Sequence, residues 1–228
     1  MNTADAAHVA KAIDWTPSFK NPLLPTDEEL DYWISEAPKR GIGQLFVQPL
    51  FLEKAKEKLK NTGVRLFSSL EASYMGQSNL SIKLAMLPEL IRLGTDELDT
   101  LMNFHAFKNG RFDQVESEIR TITSRARALK KDIKVKVIVE TGLWSEPELR
   151  DAAKLILQGG ADFIKTCLGT GPRGVSERDV DLLRATVGDR IGIKASGGIK
   201  TGAQARRLLG LGATRLGVSQ AIEVLDSL

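Results

Sequence analysis

The sequence predicts an α/β protein, a (β/α)8 TIM barrel with eight parallel strands and their crossover helices. Three observations carry that expectation. Short β-rich runs of about five residues alternate without a break with longer amphipathic segments, the pattern of parallel strands joined by crossover helices. Eight such units fit within 228 residues, compact for a fold whose usual size is about 250. The competing architecture, an open doubly wound sheet, places a glycine-rich dinucleotide turn after its first strand. Here Asp14-Trp15-Thr16-Pro17 stands there instead.

The first strand is expected over Lys11–Trp15. A helix opens at Thr26-Asp27-Glu28-Glu29, where Thr at the cap and Glu three residues later have capping-box spacing. The second strand, Gln44–Gln48, leads to a helix over Leu50–Leu59, and the third, Val64–Ser69, to one over Leu80–Leu93. The fourth, Glu97–Asn103, precedes a helix over Asp113–Lys130, and the fifth, Val135–Glu140, one over Glu146–Leu157. The sixth, Phe163–Thr166, is followed by Ser176–Val187, and the seventh, Ile191–Ala195, by Thr201–Leu211. The eighth, Arg215–Val218, runs into a last short helix within Ser219–Leu228. Gly63, Gly94, Gly159 and Gly188 stand where left-handed helix caps are expected. No linker, low-complexity stretch or shift in composition interrupts the pattern, so residues 1–228 are expected to form one barrel domain.

Composition narrows the function. Hydrophobic residues at 42% and charged residues at 27% are globular values, which sets disorder aside. A formal net charge of +3, spread along the chain, is too weak to argue for nucleic acid and suits a small anionic substrate. The single cysteine, Cys167, excludes an intrachain disulfide framework and a multi-cysteine zinc site. The two histidines, His8 and His105, exclude a His-rich metal centre, and neither a metal nor another cofactor is expected. No run approaches the roughly 18 apolar residues of a membrane span. The start, Met1-Asn2-Thr3-Ala4-Asp5, lacks a basic region followed by an apolar one, so a cytoplasmic location is expected.

In this fold the chemistry sits at the C-terminal ends of the strands. Parallel strands are buried on both faces and should read as apolar runs, so a charge near a strand end is informative. The sixth strand reads Phe163-Ile164-Lys165-Thr166, the seventh Ile191-Gly192-Ile193-Lys194-Ala195-Ser196, the fourth Glu97-Leu98-Asp99-Thr100-Leu101. Neighbouring strands thus carry Lys165 and Lys194 at matching positions. Two ammonium groups facing one cavity repel and are partly desolvated, and both effects favour a neutral amine. That is the species that forms Schiff bases with carbonyls. Asp99 is placed to pair with one lysine and relay protons. A lone strand-end lysine is often a surface residue with its stem along apolar surface; the pair on adjacent strands is what distinguishes these two. Glu140, ending the fifth strand, fits either a chemical role or the orienting of a loop. Gly169-Thr170-Gly171, Ser196-Gly197-Gly198 and Gly217-Val218-Ser219-Gln220 follow the last three strands, and barrels often hold phosphate on backbone N–H groups after the seventh and eighth. Arg173 is a possible clamp or a solvated loop residue. His105 reads as a loop or core residue and Cys167 as packing.

These residues carry a resemblance. Val135-Lys136-Val137-Ile138-Val139-Glu140-Thr141-Gly142, Gly160-Ala161-Asp162-Phe163-Ile164-Lys165-Thr166, Gly192-Ile193-Lys194-Ala195-Ser196-Gly197-Gly198-Ile199 and Gly212-Ala213-Thr214-Arg215-Leu216-Gly217 resemble the deoxyribose-phosphate aldolases, a class I family of (β/α)8 barrels. The match is dense over Lys134–Ser219 and thinner before it, where Ala12-Ile13-Asp14-Trp15-Thr16 and Gly94-Thr95-Asp96-Glu97-Leu98-Asp99 resemble family elements. The resemblance implies that Lys165 is the Schiff-base lysine, Lys194 the second lysine that holds it as a free amine and shuttles protons, and Asp99 the aspartate of that relay. It implies phosphate contacts at Gly197, Gly198 and Ser219, to which the glycine turn after the sixth strand adds Gly169 and Gly171 as candidate substrate contacts. It also implies a phosphorylated sugar or aldehyde as substrate, a role in deoxynucleoside breakdown, and a homodimer or larger homo-oligomer. Departures from the family pattern fall at Trp15, Val47, Ser73-Tyr74-Met75-Gly76, Cys167-Leu168-Gly169-Thr170 and Gln220. A Schiff-base aldolase with another donor, a phosphosugar isomerase and a phosphosugar-binding barrel are the competing readings.

Overall fold

The computed structural model describes residues 3–21, 24–71 and 77–228. In chain order the elements are α1 (Thr3–Ala12), β1 (Ile13–Trp15), α2 (Asp27–Lys39), β2 (Gln44–Phe46), α3 (Leu52–Lys58), β3 (Arg65–Ser69), α4 (Leu80–Leu93), β4 (Glu97–Leu101), α5 (Phe104–Lys108), α6 (Phe112–Leu129), β5 (Lys134–Ile138), α7 (Glu146–Gln158), β6 (Phe163–Lys165), α8 (Glu177–Val187), β7 (Gly192–Ser196), α9 (Gly202–Gly210), β8 (Arg215–Val218) and α10 (Ala221–Asp226). The eight strands pair in sequence order and β1 closes on β8, every pairing parallel. The expected (β/α)8 barrel is the observed fold.

Side chains alternate between the two faces of a strand, and that alternation divides the core. Leu45, Leu66, Leu98, Val135, Val137, Ile164, Ile193 and Leu216 are buried in the apolar core that joins the barrel to its helices. Their strand neighbours Asp14, Phe67, Glu97, Asp99, Lys136, Lys165 and Lys194 are buried too, and the charged members of that set pair with one another across the barrel. The interior of this barrel is therefore ionic where barrels are ordinarily filled with branched apolar residues.

Local signals set the helix starts. The Thr26 side chain accepts from the Glu29 N–H, as the spacing predicts, and full capping boxes open α7 at Ser145 and Glu148, α8 at Ser176 and Asp179, and α9 at Thr201 and Gln204. Gly94 caps α4 in the left-handed region at φ 112°. Gly159 does not do so for α7. Its φ is −68° and the following Gly160 takes the positive value, while a Cβ on Gly159 would stand 2.5 Å from Ile119 Cγ2, so this glycine serves close packing. Gly63 lies beyond the end of α3, and Gly188 has positive φ with ψ −148°, outside the left-handed helical region.

Six of the eight strands are shorter than the sequence suggests, β8 has the expected bounds and β7 is shifted by one residue. Lys11 and Ala12 end α1, an unanticipated helix, instead of beginning β1. β4 stops at Leu101 because Asn103 caps the short α5, accepting from the Ala106 N–H at 2.9 Å. Glu140 lies outside β5 at φ 53°. The Ser73-Tyr74-Met75-Gly76 segment lies outside the described residues. Among those described, no helix is long and apolar enough to cross a membrane.

Candidate active site

Lys165 ends β6 and Lys194 lies in β7, and the two are register partners. Lys165 Nζ donates to Asp99 Oδ2 at 2.8 Å and Lys194 Nζ to the same oxygen at 3.1 Å. The three residues singled out in the sequence are thus one hydrogen-bonded unit. They are not equally placed. Lys165 lines a cavity of about 240 Å³ at the C-terminal ends of the strands, while Lys194 lies beneath with no exposed surface.

Under this unit lies a second tier that the sequence reading did not assign. Lys194 contacts Asp14 Oδ2 at 2.7 Å. Lys136 stands 2.9 Å from Asp14 Oδ2, 2.6 Å from Glu97 Oε2 and 3.4 Å from Asp99 Oδ1. These are close ion contacts without hydrogen-bond geometry, since Lys136 Nζ makes no hydrogen bond among the described residues. Arg215 closes the tier with bonds to Asp14 Oδ1 at 2.8 Å and Glu97 Oε1 at 3.1 Å. The Phe67 ring packs against both deep lysines, its centroid 4.2 Å from Lys136 Nζ and 4.1 Å from Lys194 Nζ. The signal for this tier was present in the sequence: Lys134-Val135-Lys136 and Glu97-Leu98-Asp99 put charge at every second residue of a strand.

The cluster holds four cations, Lys136, Lys165, Lys194 and Arg215, against three anions, Asp14, Glu97 and Asp99, with the more exposed Arg65 reaching Glu97 from outside at 3.5 Å. Losing one proton would bring these seven groups to balance. Burial would raise the Asp99 carboxyl, but Lys165, Lys194 and Lys136 outweigh it and hold the group well below the usual carboxylate range. Asp14 is held low in the same way by Lys136, Lys194 and Arg215. Burial would lower Lys136, yet Asp14, Asp99 and Glu97 hold its proton and raise it. Lys194 goes the other way. Burial brings it down to about 8 against the pull of Asp14 and Asp99, with Lys136 and Lys165 adding repulsion.

Of the glycines expected at the substrate, Gly169, Gly197 and Gly198 line the cavity, as does Ser219, together with Thr16, Leu168, Ser196, Ile199, Lys200, Gly217 and Gln220. Gly197 and Gly198 have φ of 97° and 78°, conformations that favour glycine. Lys200 supplies a cation at this wall that the sequence reading missed. Trp15 explains one departure from the family pattern: its indole Nε1 donates to the Ser219 carbonyl at 3.0 Å and fixes that turn. Gly171 is not on the cavity wall and abuts Glu140 instead. Arg173 is committed to Asp179 through two bonds of 2.5 and 2.8 Å, so it anchors a loop to the start of α8. Cys167 is buried beside Thr141, its thiol pushed up by burial. His105 is exposed on α5.

No family model matches the chain. Individual proteins do. The deoxyribose-phosphate aldolase of Aciduliprofundum boonei is 35% identical over 224 residues, 98% of either chain. That of Caldanaerobacter subterraneus subsp. tengcongensis is 33% identical over 219 residues, 96% of this chain and 93% of its own. The tetrameric deoxyribose phosphate aldolase of Aeropyrum pernix matches with a TM-score of 0.85 at 28% identity, covering 97% of this chain and 91% of that one. The similarity spans both halves, beyond the C-terminal region where the motifs are densest. At this identity and coverage, with a barrel of the same shape, the chain belongs to the deoxyribose-phosphate aldolase family.

Proposed function

We propose that the protein is a class I aldolase, an aldehyde-lyase that reversibly cleaves 2-deoxy-D-ribose 5-phosphate to acetaldehyde and D-glyceraldehyde 3-phosphate. The observation that carries this reading is the vertical order of the site. One lysine, Lys165, reaches the cavity, and it rests on a carboxylate shared with a second, fully buried lysine. A binding barrel would gain nothing from that arrangement, since burying paired charges is costly.

In the cleavage direction Lys165 Nζ, as free amine, attacks C1 of the open-chain sugar, and water leaves to give an iminium. A base removes the C3 hydroxyl proton and the C2–C3 bond breaks. Its electron pair flows to the iminium nitrogen, giving an enamine and releasing glyceraldehyde 3-phosphate. Protonation at C2 and hydrolysis then release acetaldehyde and restore the lysine. The covalent iminium is the electron sink. Asp99 and Lys194, directly below, hold and return protons through the position of the Lys165 amine. Gly197, Gly198, Ser219 and Lys200 form the wall suited to the phosphate.

Supplying deoxyribose 5-phosphate and following acetaldehyde through a coupled reductase tests the reading. Acetaldehyde and triose phosphate should appear in equal amounts. Absence of cleavage while other aldol donors turn over would contradict the substrate. The reading extends to deoxynucleoside breakdown in the cytoplasm and to a homo-oligomer, which light scattering would show as a mass at least twice that of one chain.

A further inference from the structure

Glu140 is a buried acidic group that the lysine chemistry above does not use. Only 4% of it is exposed, yet it sits at φ 53° and ψ 73°, a backbone conformation that residues with a side chain rarely adopt. Such strain persists where the surroundings hold it and is common beside functional sites. Glycine would relieve the backbone, so the side chain is the reason another residue stands there.

The contacts show what the side chain does. On either side of Glu140 the backbone is tied to the strand that bears Lys165. Val139 N–H donates to the Lys165 carbonyl and Thr141 N–H to the Thr166 carbonyl, both at 2.9 Å. The Glu140 carboxylate makes the next link, its Oε2 accepting the Leu168 N–H at 2.8 Å. Its Oε1 occupies the space beside Gly171. A Cβ on that residue would lie 2.1 Å from Oε1 and 2.4 Å from the carboxyl carbon. Oε1 finds no hydrogen-bond partner among the described residues, with the Cys167 thiol beside the carboxylate. Leu168 and Gly169, which Glu140 thereby braces, form part of the cavity wall next to Lys165.

We infer that Glu140 is a positioning residue for the aldol reaction: its carboxylate pins the Leu168-to-Gly171 segment that shapes the substrate cavity, and Gly171 is glycine because that carboxylate takes the place of its side chain. The inference rests on the aldolase reading for its kinetic consequence but not for its structural one. It assigns Gly171 a role behind the cavity wall, where the sequence suggested contact with substrate.

The test uses the full chain and three substitutions. Glu140→Ala should lower kcat/KM for deoxyribose 5-phosphate by about 10- to 100-fold, chiefly through KM, the scale of losing a buried hydrogen-bond partner. Reductive trapping of acetaldehyde on Lys165 should stay within about twofold of the parent, because the Lys165, Asp99 and Lys194 unit is untouched. Glu140→Gln retains an oxygen for the Leu168 N–H and should recover most of the loss. Gly171→Ala should reproduce the loss, and adding it to Glu140→Ala should cost nothing more, the signature of two residues acting as one. Amide hydrogen exchange at Leu168–Gly171 should quicken in Glu140→Ala, a readout that needs no substrate. Unchanged exchange and KM in Glu140→Ala, additive losses in the double variant, or a trapping loss as large as the cleavage loss would each overturn the inference. A parent protein that fails to trap acetaldehyde would instead strike the aldolase reading and leave the exchange test standing. If Glu140→Ala does not fold, Glu140→Gln and Gly171→Ala decide the matter through the same KM and exchange readouts.

Discussion

Lys165 and Lys194 face each other across β6 and β7 and give their hydrogen bonds to one atom, Oδ2 of Asp99, at 2.8 and 3.1 Å. Lys194 also meets Asp14 at 2.7 Å, but Asp14 is shared with Lys136 and Arg215, so the carboxylates of the cluster do not match its cations one for one. The cluster therefore carries a surplus positive charge directly beneath the cavity that Lys165 lines. That surplus belongs to the whole cluster more than to either lysine.

The pH dependence of turnover follows. Lys194 is brought down to about 8 by burial, with its cationic neighbours Lys136 and Lys165 adding repulsion. The rate should therefore climb as pH rises through about 8. Lys194→Leu removes that titrating cation, so the ascending limb should move away from about 8 and kcat should fall by at least about 100-fold. A kcat/KM profile measured from pH 6 to 10 checks this, and an unmoved limb in Lys194→Leu would refute it.

Lys136 makes no contact with the cavity, yet the cluster depends on it. Lys136→Met leaves Asp14 and Glu97 with fewer counter-charges in a site without solvent, and removing one partner of a buried pair costs about 3–5 kcal/mol. Thermal denaturation should show a Tm lower by roughly 10 °C for a chain of this size. A shift under about 2 °C would mean that the Lys136 contacts contribute little.

Acid should unfold the protein through the same tier. Asp14 and Asp99 are held by the neighbouring cations below the ordinary carboxyl value of 3.8. The stability they provide is complete above that value and is lost as pH falls through their lower folded values. Urea midpoints at pH 7, 4 and 3 should drop mainly across the last step, and Asp99→Asn should flatten that drop. An equal slope in parent and variant would contradict the assignment.

Phosphate recognition is separable from the lysine chemistry. Lys200→Ala should raise KM for deoxyribose 5-phosphate by about tenfold, the scale of one charge-assisted contact. Ser219→Ala should act in the same direction. Neither should alter cleavage of unphosphorylated deoxyribose, so parallel KM measurements on the two sugars check the site. Equal losses on both substrates would place these residues elsewhere in the mechanism.

Much of this was legible in the sequence because the barrel's periodicity is strong and its strand ends carry charge against an apolar background. Lys165, Lys194 and Asp99 stood out for that reason. Lys136, Asp14 and Arg215 escaped because each reads locally as an ordinary charged residue near the start or middle of a strand. Only ring closure, which brings β1 beside β8 and faces both toward β5, makes them one cluster. Gly171 could not be placed from the sequence, since a glycine turn looks the same whether it makes room for substrate or for Glu140. Arg173 looked free because its partner Asp179 lies on the far side of a turn.

The central claim is that Lys165 is the residue that forms the covalent link. Incubation with acetaldehyde and borohydride, followed by peptide mapping by mass spectrometry, tests it most directly. The account predicts a single stoichiometric ethyl adduct on Lys165, absent in Lys165→Ala, with Lys194 unmodified. An adduct on another residue in an active enzyme, or full turnover by Lys165→Ala, would contradict it.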